Sequence, residues 1–244
     1  VKMEITELQR DLAATFRWTA RLNMHEGVAN HFSACVPGST TDFYVNKAGI
    51  HFSQIKASDL ILVTKENIND LKNQPNLIDP TAINIHGTIH QKVPHAKCIF
   101  HLHSKYATAL SALKDPIIKP IDQNTAIFYN RVSVFNEFGG LGFEDESIKM
   151  ANALGNKQHM LLANHGVITT GKTIAEGFNY LYYFERAAET YLTALSTNEE
   201  LNIGSDEIAE KTAEETANYP IDLAKLHLQQ IRLILDKEEP EYKN

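Results

Sequence analysis

The stretch CIFHLH, at Cys98–His103, combines four apolar or weakly polar residues with two histidines. A short apolar run of this kind predicts a buried β-strand. Residues two apart on a strand point to the same face, so His101 and His103 are expected to project side by side. A second apolar run, MLLA, comes directly before Asn164–Gly166. The two runs predict the centre of a β-sheet with histidines at its strand ends.

Helix candidates interleave with strand candidates along the rest of the chain. Capping-box patterns at Thr6 and Thr173 open the first and the longest of them. The predicted helices lie at about 6–23, 80–92, 173–195 and 223–235. This interleaving indicates the α/β class.

No linker or repeat divides the chain, so we expect one domain over 1–244. Its core is expected at about 8–197, with a C-terminal polar segment and helix at 198–244. Within that last part, residues 202–218 are expected to be exposed and residues 236–244 to form a charged tail.

Composition narrows the classes of partner. The 244 residues include 23 Lys+Arg and 30 Asp+Glu, a net charge of −7, which disfavours nucleic acid as the main partner. No apolar run approaches the roughly 20 residues that a transmembrane helix needs, so no membrane partner is expected. Two cysteines, Cys35 and Cys98, cannot form a disulfide framework and suit a reducing cytoplasm. Cys98 is expected to be a small core residue on the face opposite His101.

The histidines are the main candidates for chemistry. His101 and His103 have the spacing of two ligands of one transition metal, or of two histidines satisfied by hydrogen bonds. His165 precedes a glycine, which would allow a ligand to approach the backbone closely. Three histidines and a water would leave a divalent ion its full charge, as in a catalytic site. His86 and His90, four residues apart on a helix, would by themselves indicate a polar surface face.

Several motifs in order along the chain resemble one known family. The motifs are Asn30–Ser33 with Val36–Gly38, Ile85–His90 with Val93–Ala96, His101–Ser104, and Asn164–Gly166. With these motifs the sequence is similar to the class II aldolase/adducin family, the metal-dependent sugar-phosphate aldolases and their relatives. The likeness covers most of the chain, from about Leu8 to Thr197.

The resemblance implies a central, largely antiparallel sheet between helices, in a three-layer α/β/α arrangement, and a homotetramer with sites at subunit interfaces. It also implies a divalent ion, most often Zn²⁺ with Mn²⁺ or Co²⁺ possible, held by His101, His103 and His165. In the aldolases this ion polarises the substrate carbonyl and stabilises an enediolate. The early loops of the family hold substrate, which points to Asn30, Ser33 and Gly49.

The chain departs from the family pattern at one catalytic position. The aldolases carry a glutamate in the helix before the H-x-H strand, and Ala82 stands at that place. His86 lies one helical turn further on, and His31 belongs to a loop that helps to hold substrate in relatives. Either imidazole is a candidate acid or base, or a group that orients a metal ligand. Glu185, in the long helix, is expected to pair with Arg186 or another neighbour.

These features favour a metal-dependent lyase that cleaves a carbon–carbon bond of a small hydroxy-carbonyl substrate. Decarboxylation and sugar-phosphate epimerisation at the same metal site remain alternatives. So does a non-enzymatic, adducin-like assembly module, although the short C-terminal tail disfavours a cytoskeletal role.

Overall fold

One β-sheet organises the chain, and the computed structural model describes it within residues 4–141 and 145–244. The strands are β1 (His31–Cys35), β2 (Phe43–Asn46), β3 (Leu60–Val63), β4 (Cys98–Leu102), β5 (Val132–Phe135), β6 (His159–Leu162) and β7 (Gly166–Gly171). They lie in the order β3-β2-β1-β4-β7-β6-β5. Neighbouring strands are antiparallel except β5 and β6, which are parallel. The predicted α/β class with a largely antiparallel sheet is confirmed.

Helices cover both faces of this sheet. They are α1 (Glu7–Arg21), α2 (Ile68–Lys72), α3 (Pro80–Lys92), α4 (Lys105–Ser111), α5 (Gln123–Ala126), α6 (Asp145–Leu154), α7 (Ile174–Leu195), α8 (Asp206–Ala217) and α9 (Leu223–Glu238). Short 3₁₀ turns lie at Phe52–Gln54, Ala57–Asp59 and Pro240–Lys243. No helix among the described residues combines the length and the apolar character needed to cross a membrane.

The alternation of side chains along β1 and β4 separates two cores. Phe32 and Phe100 point to the side of α1 and α7, where Phe32 stacks on Phe16 with ring centroids 4.5 Å apart. Ile99, one residue away, belongs to the opposite core beneath α3 and α6. His31 pairs with His101 across the two strands, so both imidazoles lie on the α3 side. The sheet therefore has a helical layer on each face, as predicted.

The helix starts follow the capping residues in the sequence. The Thr6 hydroxyl accepts a hydrogen bond from the Gln9 amide, and the Gln9 side chain accepts one from the Thr6 amide, which completes a capping box. Thr173 likewise accepts from the amide of Glu176 at the start of α7. Both predicted starts are confirmed.

The C-terminal part is more ordered than the sequence indicated. The segment predicted as exposed contains α8, which buries Ala209 and Ala213 on one side. The charged tail is not a free tail, because the 3₁₀ turn at its end buries Tyr242 completely. The Tyr242 hydroxyl donates to Asp236 and accepts from Arg232, so its polar end is satisfied. Leu235 and Tyr242 join the main hydrophobic core, which supports the predicted single domain.

Candidate metal centre

Three histidines converge at one end of the sheet. His101 lies near the end of β4, His103 follows that strand, and His165 lies in the turn between β6 and β7. One ligand atom from each lies within 4.8 Å of the others. The turn depends on Gly166, since a Cβ there would overlap the carbonyl oxygen of Leu102. The structure thus brings His101, His103 and His165 together, and their role as metal ligands stays a prediction.

Hydrogen bonds on the far side of two rings decide where their protons lie. Nδ1 of His101 donates to the carbonyl oxygen of Val167 at 3.0 Å, and Nδ1 of His103 lies 2.6 Å from Oε1 of Glu26. A carbonyl or carboxylate oxygen can only accept, so Nδ1 carries the proton in each ring. In the neutral rings both Nε2 atoms then present lone pairs, and these two atoms lie only 3.0 Å apart.

Facing lone pairs repel one another unless a proton or a metal ion lies between them. Two imidazole nitrogens bound to one tetrahedral zinc ion, at about 2.0–2.1 Å each, lie about 3.3 Å apart. Burial, together with the neighbouring imidazoles, holds the pKa of His101 well below its usual value. Burial and His103 lower the pKa of His165 to about 4. Neutral imidazoles are the form that binds a metal, so these residues fit a divalent ion.

Glu26 and Asn30 hold the exposed side of the centre. The Asn30 side-chain oxygen accepts from the backbone amide of His103 at 3.0 Å, and its Nδ2 donates to Glu26 at 3.3 Å. The positive φ of Asn30, 78°, turns the chain at this point into β1. Sequence reasoning missed Glu26, because nothing in its local sequence marks it as a partner of a histidine 77 positions away.

A second group of histidines lies beneath α3. His86 and His90 are both buried against β1, so their interpretation as a polar surface face is wrong. Nε2 of His86 lies 2.6 Å from Nδ1 of His31, and Ser33 Oγ contacts both Nδ1 of His86 and Nε2 of His90. Nδ1 of His90 lies 2.7 Å from the carbonyl oxygen of Ala96. The structure thus brings His31 and His86, the two candidate acid–base residues, into direct contact.

The two groups adjoin at His31. Its ring centroid lies 5.0 Å from that of His101, its partner across β1 and β4. Ala82 is buried in the core between α2, α3 and the sheet. Its methyl group can bind neither a proton nor a metal ion. His86 occupies the next turn of the same helix, which is the position from which an imidazole reaches His31.

Glu185 has a different role from the predicted ion pair with Arg186. Its carboxylate accepts from the Ser104 hydroxyl at 2.5 Å and from the backbone amides of Tyr106 and Ala107 at 2.8 and 3.1 Å. These amides belong to the first turn of α4, so they have no acceptor within the helix, and a negative charge is favourable there. Glu185 therefore fixes the loop that follows His103.

The three residues expected to hold substrate lie in different surroundings. Gly49 lies in an exposed turn with φ +80°, and Asn30 is engaged by His103 and Glu26. Substrate contact stays a prediction for these two. The Ser33 hydroxyl is completely buried between two imidazoles, which favours a role inside the histidine group instead.

Comparison with known proteins agrees with this geometry. The sequence model described as the class II aldolase and adducin N-terminal domain matches residues 10–192. A Caulobacter vibrioides protein that carries a provisional class 2 aldolase name is 32% identical, over 76% of this chain and 72% of its own. An adducin-related protein of Schizosaccharomyces pombe is 28% identical, over 91% and 70%. The decarboxylase NovR of Streptomyces niveus is 30% identical, over 66% and 60%.

Two solved structures share the fold over nearly their full length. An aldolase II superfamily protein from Pseudomonas syringae superimposes with a TM-score of 0.86 at 28% identity, covering 100% of this chain and 98% of that one. L-fuculose 1-phosphate aldolase from Glaciozyma antarctica gives 0.80 at 27% identity, covering 97% and 92%.

Proposed function

The chain belongs to the class II aldolase and adducin family, and on that premise we propose that it is a metal-dependent lyase. The reaction proposed is cleavage of a carbon–carbon bond in a small hydroxy-carbonyl compound. The observation that carries the proposal is the pair of facing Nε2 atoms of His101 and His103, 3.0 Å apart within a cluster of three imidazoles.

His101, His103 and His165 would hold the ion in this proposal. Neutral imidazole ligands suit Zn²⁺, with Mn²⁺ or Co²⁺ as alternatives. The chemistry that such an ion supplies is Lewis acidity towards a carbonyl oxygen, which stabilises the charge left when the bond breaks. The Val167 carbonyl and Glu26 orient two of the rings, as hydrogen-bonding partners of metal-binding histidines generally do.

His31 and His86 would move the proton. Cleavage of an aldol requires a base that takes the proton of the substrate hydroxyl group. His31 lies beside His101, and its Nδ1 is already engaged by His86, so Nε2 is the atom available to the substrate. His86 would act through His31, by accepting a hydrogen bond from Nδ1 of His31 and so stabilising the imidazolium that forms when His31 accepts the proton.

The proposed substrate is a small sugar-like compound. L-fuculose 1-phosphate is the compound named for one structural neighbour, and a related hydroxy-carbonyl compound is proposed here. Asn30 and the Gly49 turn are proposed to contact it. Both lie in the segments that lead into β1 and out of β2.

Decarboxylation is the second candidate, because two observations favour it. One relative is named a decarboxylase, and Ala82 removes the carboxylate with which the aldolases abstract a proton. Loss of carbon dioxide requires no such base, since the departing carboxylate leaves its electron pair on carbon.

We also propose a cytoplasmic homotetramer with sites at subunit interfaces. Large apolar side chains remain exposed on the C-terminal helices of the single chain, among them Ile208, Leu223, Leu226 and Leu233. Exposed apolar groups in one region are typical of surfaces that bind another protein chain.

Metal reconstitution tests the proposed function. Protein purified without a histidine tag is stripped with a chelator, reloaded with Zn²⁺, Mn²⁺ or Co²⁺, and assayed with aldol and keto-acid substrates. We expect aldehyde release that needs metal and is lost in His101→Ala. His227→Ala is the matched control, because His227 lies in α9 and contacts Asn179 and Tyr182 of α7, away from the three-histidine cluster. Carbon dioxide release would support decarboxylation, and full metal occupancy without turnover would contradict both.

A further inference from the structure

A line of buried polar groups runs from His31 to a backbone carbonyl. It consists of His31, His86, Ser33 and His90 in that order, and it ends on the carbonyl oxygen of Ala96. Ser33, His86 and His90 are at most 1% exposed. A buried polar chain is stable only if every member has a partner, and here each contact joins two groups that can bond.

The carbonyl end fixes the position of every proton in the line. The Ala96 oxygen can only accept, so Nδ1 of His90 carries its proton. Neutral His90 then accepts at Nε2, and the donor is the Ser33 hydroxyl. That hydroxyl has a single proton, so Nδ1 of His86 must donate to the Ser33 oxygen. Neutral His86 therefore accepts at Nε2, and Nδ1 of His31 donates to it.

We infer that Ser33 and His90 are positioning residues that fix the tautomer of His31 and leave its Nε2 unprotonated beside the metal centre. The inference rests on the proposed function, in which His31 is the base. A neutral imidazole can be either tautomer in water, and only one of them has its free lone pair at Nε2. The line from Ala96 selects that tautomer without touching the substrate.

The surroundings favour neutral rings along the line. Burial lowers the pKa of His90 to about 4 and that of His86 well below its usual value. The ring of Phe43 covers His90 at a centroid distance of 5.0 Å. Each neutral ring carries one proton, so the direction of the line follows from its carbonyl end alone.

Nitrogen NMR on the purified protein, with ¹⁵N-labelled histidine, tests the direction directly. Protonated and unprotonated ring nitrogens have well-separated chemical shifts, and single-histidine variants assign the signals. We expect the proton on Nδ1 in His31, His86 and His90 at neutral pH. A wild-type His86 with its proton on Nε2 would overturn the inference.

Two variants make the test sharper, because they predict different outcomes. In His90→Phe the Ser33 hydroxyl loses its acceptor and turns to donate to Nδ1 of His86. The proton of His86 then moves to Nε2, and His31 becomes protonated at Nε2. In Ser33→Ala neither direction is imposed, so the tautomer ratio of His86 should change by at least about tenfold towards a mixture.

A matched control separates this effect from the loss of any buried hydroxyl. Thr19→Val removes a fully buried hydroxyl that bonds to the Thr15 carbonyl in α1, and it should leave all three tautomers unchanged. Unchanged tautomers in His90→Phe would contradict the inference.

The outcome is independent of the metal centre. Both variants keep His101, His103 and His165, so metal content should equal that of the wild type. A wild-type protein with normal metal content but with the His86 proton on Nε2 would count against the positioning role alone. Absence of bound metal with the expected pattern would count against the proposed function alone.

Discussion

His31 and His101 are direct cross-strand partners, with ring centroids 5.0 Å apart on the α3 side of the sheet. This pairing joins the three-histidine cluster to the buried line under α3. A candidate base and a candidate metal ligand are thus held by the same pair of strands, and their separation is set by the backbone ladder between β1 and β4.

Glu26 should determine how tightly the metal binds. Glu26→Ala removes the acceptor of the His103 Nδ1 proton, and we expect metal affinity to fall about 10–100-fold. Glu26→Gln keeps an acceptor oxygen and should lose less. Competition titration with a chromophoric chelator measures both, with the exposed Glu215→Ala as control. Equal affinity in Glu26→Ala and the control would show that Glu26 does not orient His103.

Gly166 should be essential for the geometry of the cluster. Gly166→Ala places a methyl group against the carbonyl oxygen of Leu102 and beside the His103 ring, so β4 and the β6–β7 turn must separate. We expect metal content to fall several-fold while the helical circular dichroism remains. Gly204→Ala is the control, because a methyl group there meets only the Pro120 carbonyl at 3.4 Å. Metal content equal to the control would refute this prediction.

Metal-free protein should lose stability in mild acid. Histidines of the unfolded chain take up a proton near pH 6.5, whereas burial lowers the pKa of His90 to about 4 and that of His159 to about 3. Between these values the unfolded state binds more protons, so the free energy of unfolding falls as pH decreases from about 6.5 to 4. Each histidine contributes a slope of about 1 kcal/mol per pH unit.

Urea unfolding over this pH range measures the slope. His159→Phe should reduce it, because the substitution removes one of the buried titrating groups. Nε2 of His159 is buried without a hydrogen-bond partner among the described residues, and the ring lies between Phe128 and Tyr180. Phenylalanine therefore suits the apolar surroundings of the ring and loses the 3.4 Å bond that Nδ1 accepts from the Thr170 amide. A slope as steep as that of the wild type would contradict this cause.

The C-terminal turn should contribute to global stability. Tyr242→Ala removes a fully buried aromatic ring from the main core, and we expect a loss of about 3–5 kcal/mol in the free energy of unfolding. Tyr242→Phe loses only the bonds to Arg232 and Asp236 and should cost about 1–2 kcal/mol. Urea titration at fixed protein concentration measures both. Tyr219→Phe, at an exposed site, is the control, and equal midpoints for Tyr242→Ala and this control would contradict the prediction.

The sequence was sufficient to predict the parts of the site that depend on local pattern. The H-x-H spacing of His101 and His103 on a strand, and the glycine after His165, follow from the two-residue period of strands and the demands of a tight turn. The capping residues Thr6 and Thr173 likewise predicted helix starts from local sequence, because a cap and the amide that it bonds lie within four residues of each other.

The parts that were missed depend on pairing between distant segments. His90 seemed to lie on a surface, because a polar residue on a helix gives no sign that a serine on a strand 57 positions earlier will accept or donate a bond to it. Glu26 and Glu185 bond to loops that are far away in sequence. The buried Tyr242 was hidden by the charged residues near it, of which Glu239 and Glu241 accept hydrogen bonds from Arg17.

The register between β1 and β4 also ties metal capture to correct folding. A slip of β4 by one residue would turn Phe100 towards α3 and His101 into the aromatic core, because side chains alternate along a strand. Such a misfolded chain would lack two ligands at once and bury a polar ring among phenylalanines. An ion that binds only when β1 and β4 are correctly paired would therefore stabilise chains with the correct strand alignment and not the misaligned ones.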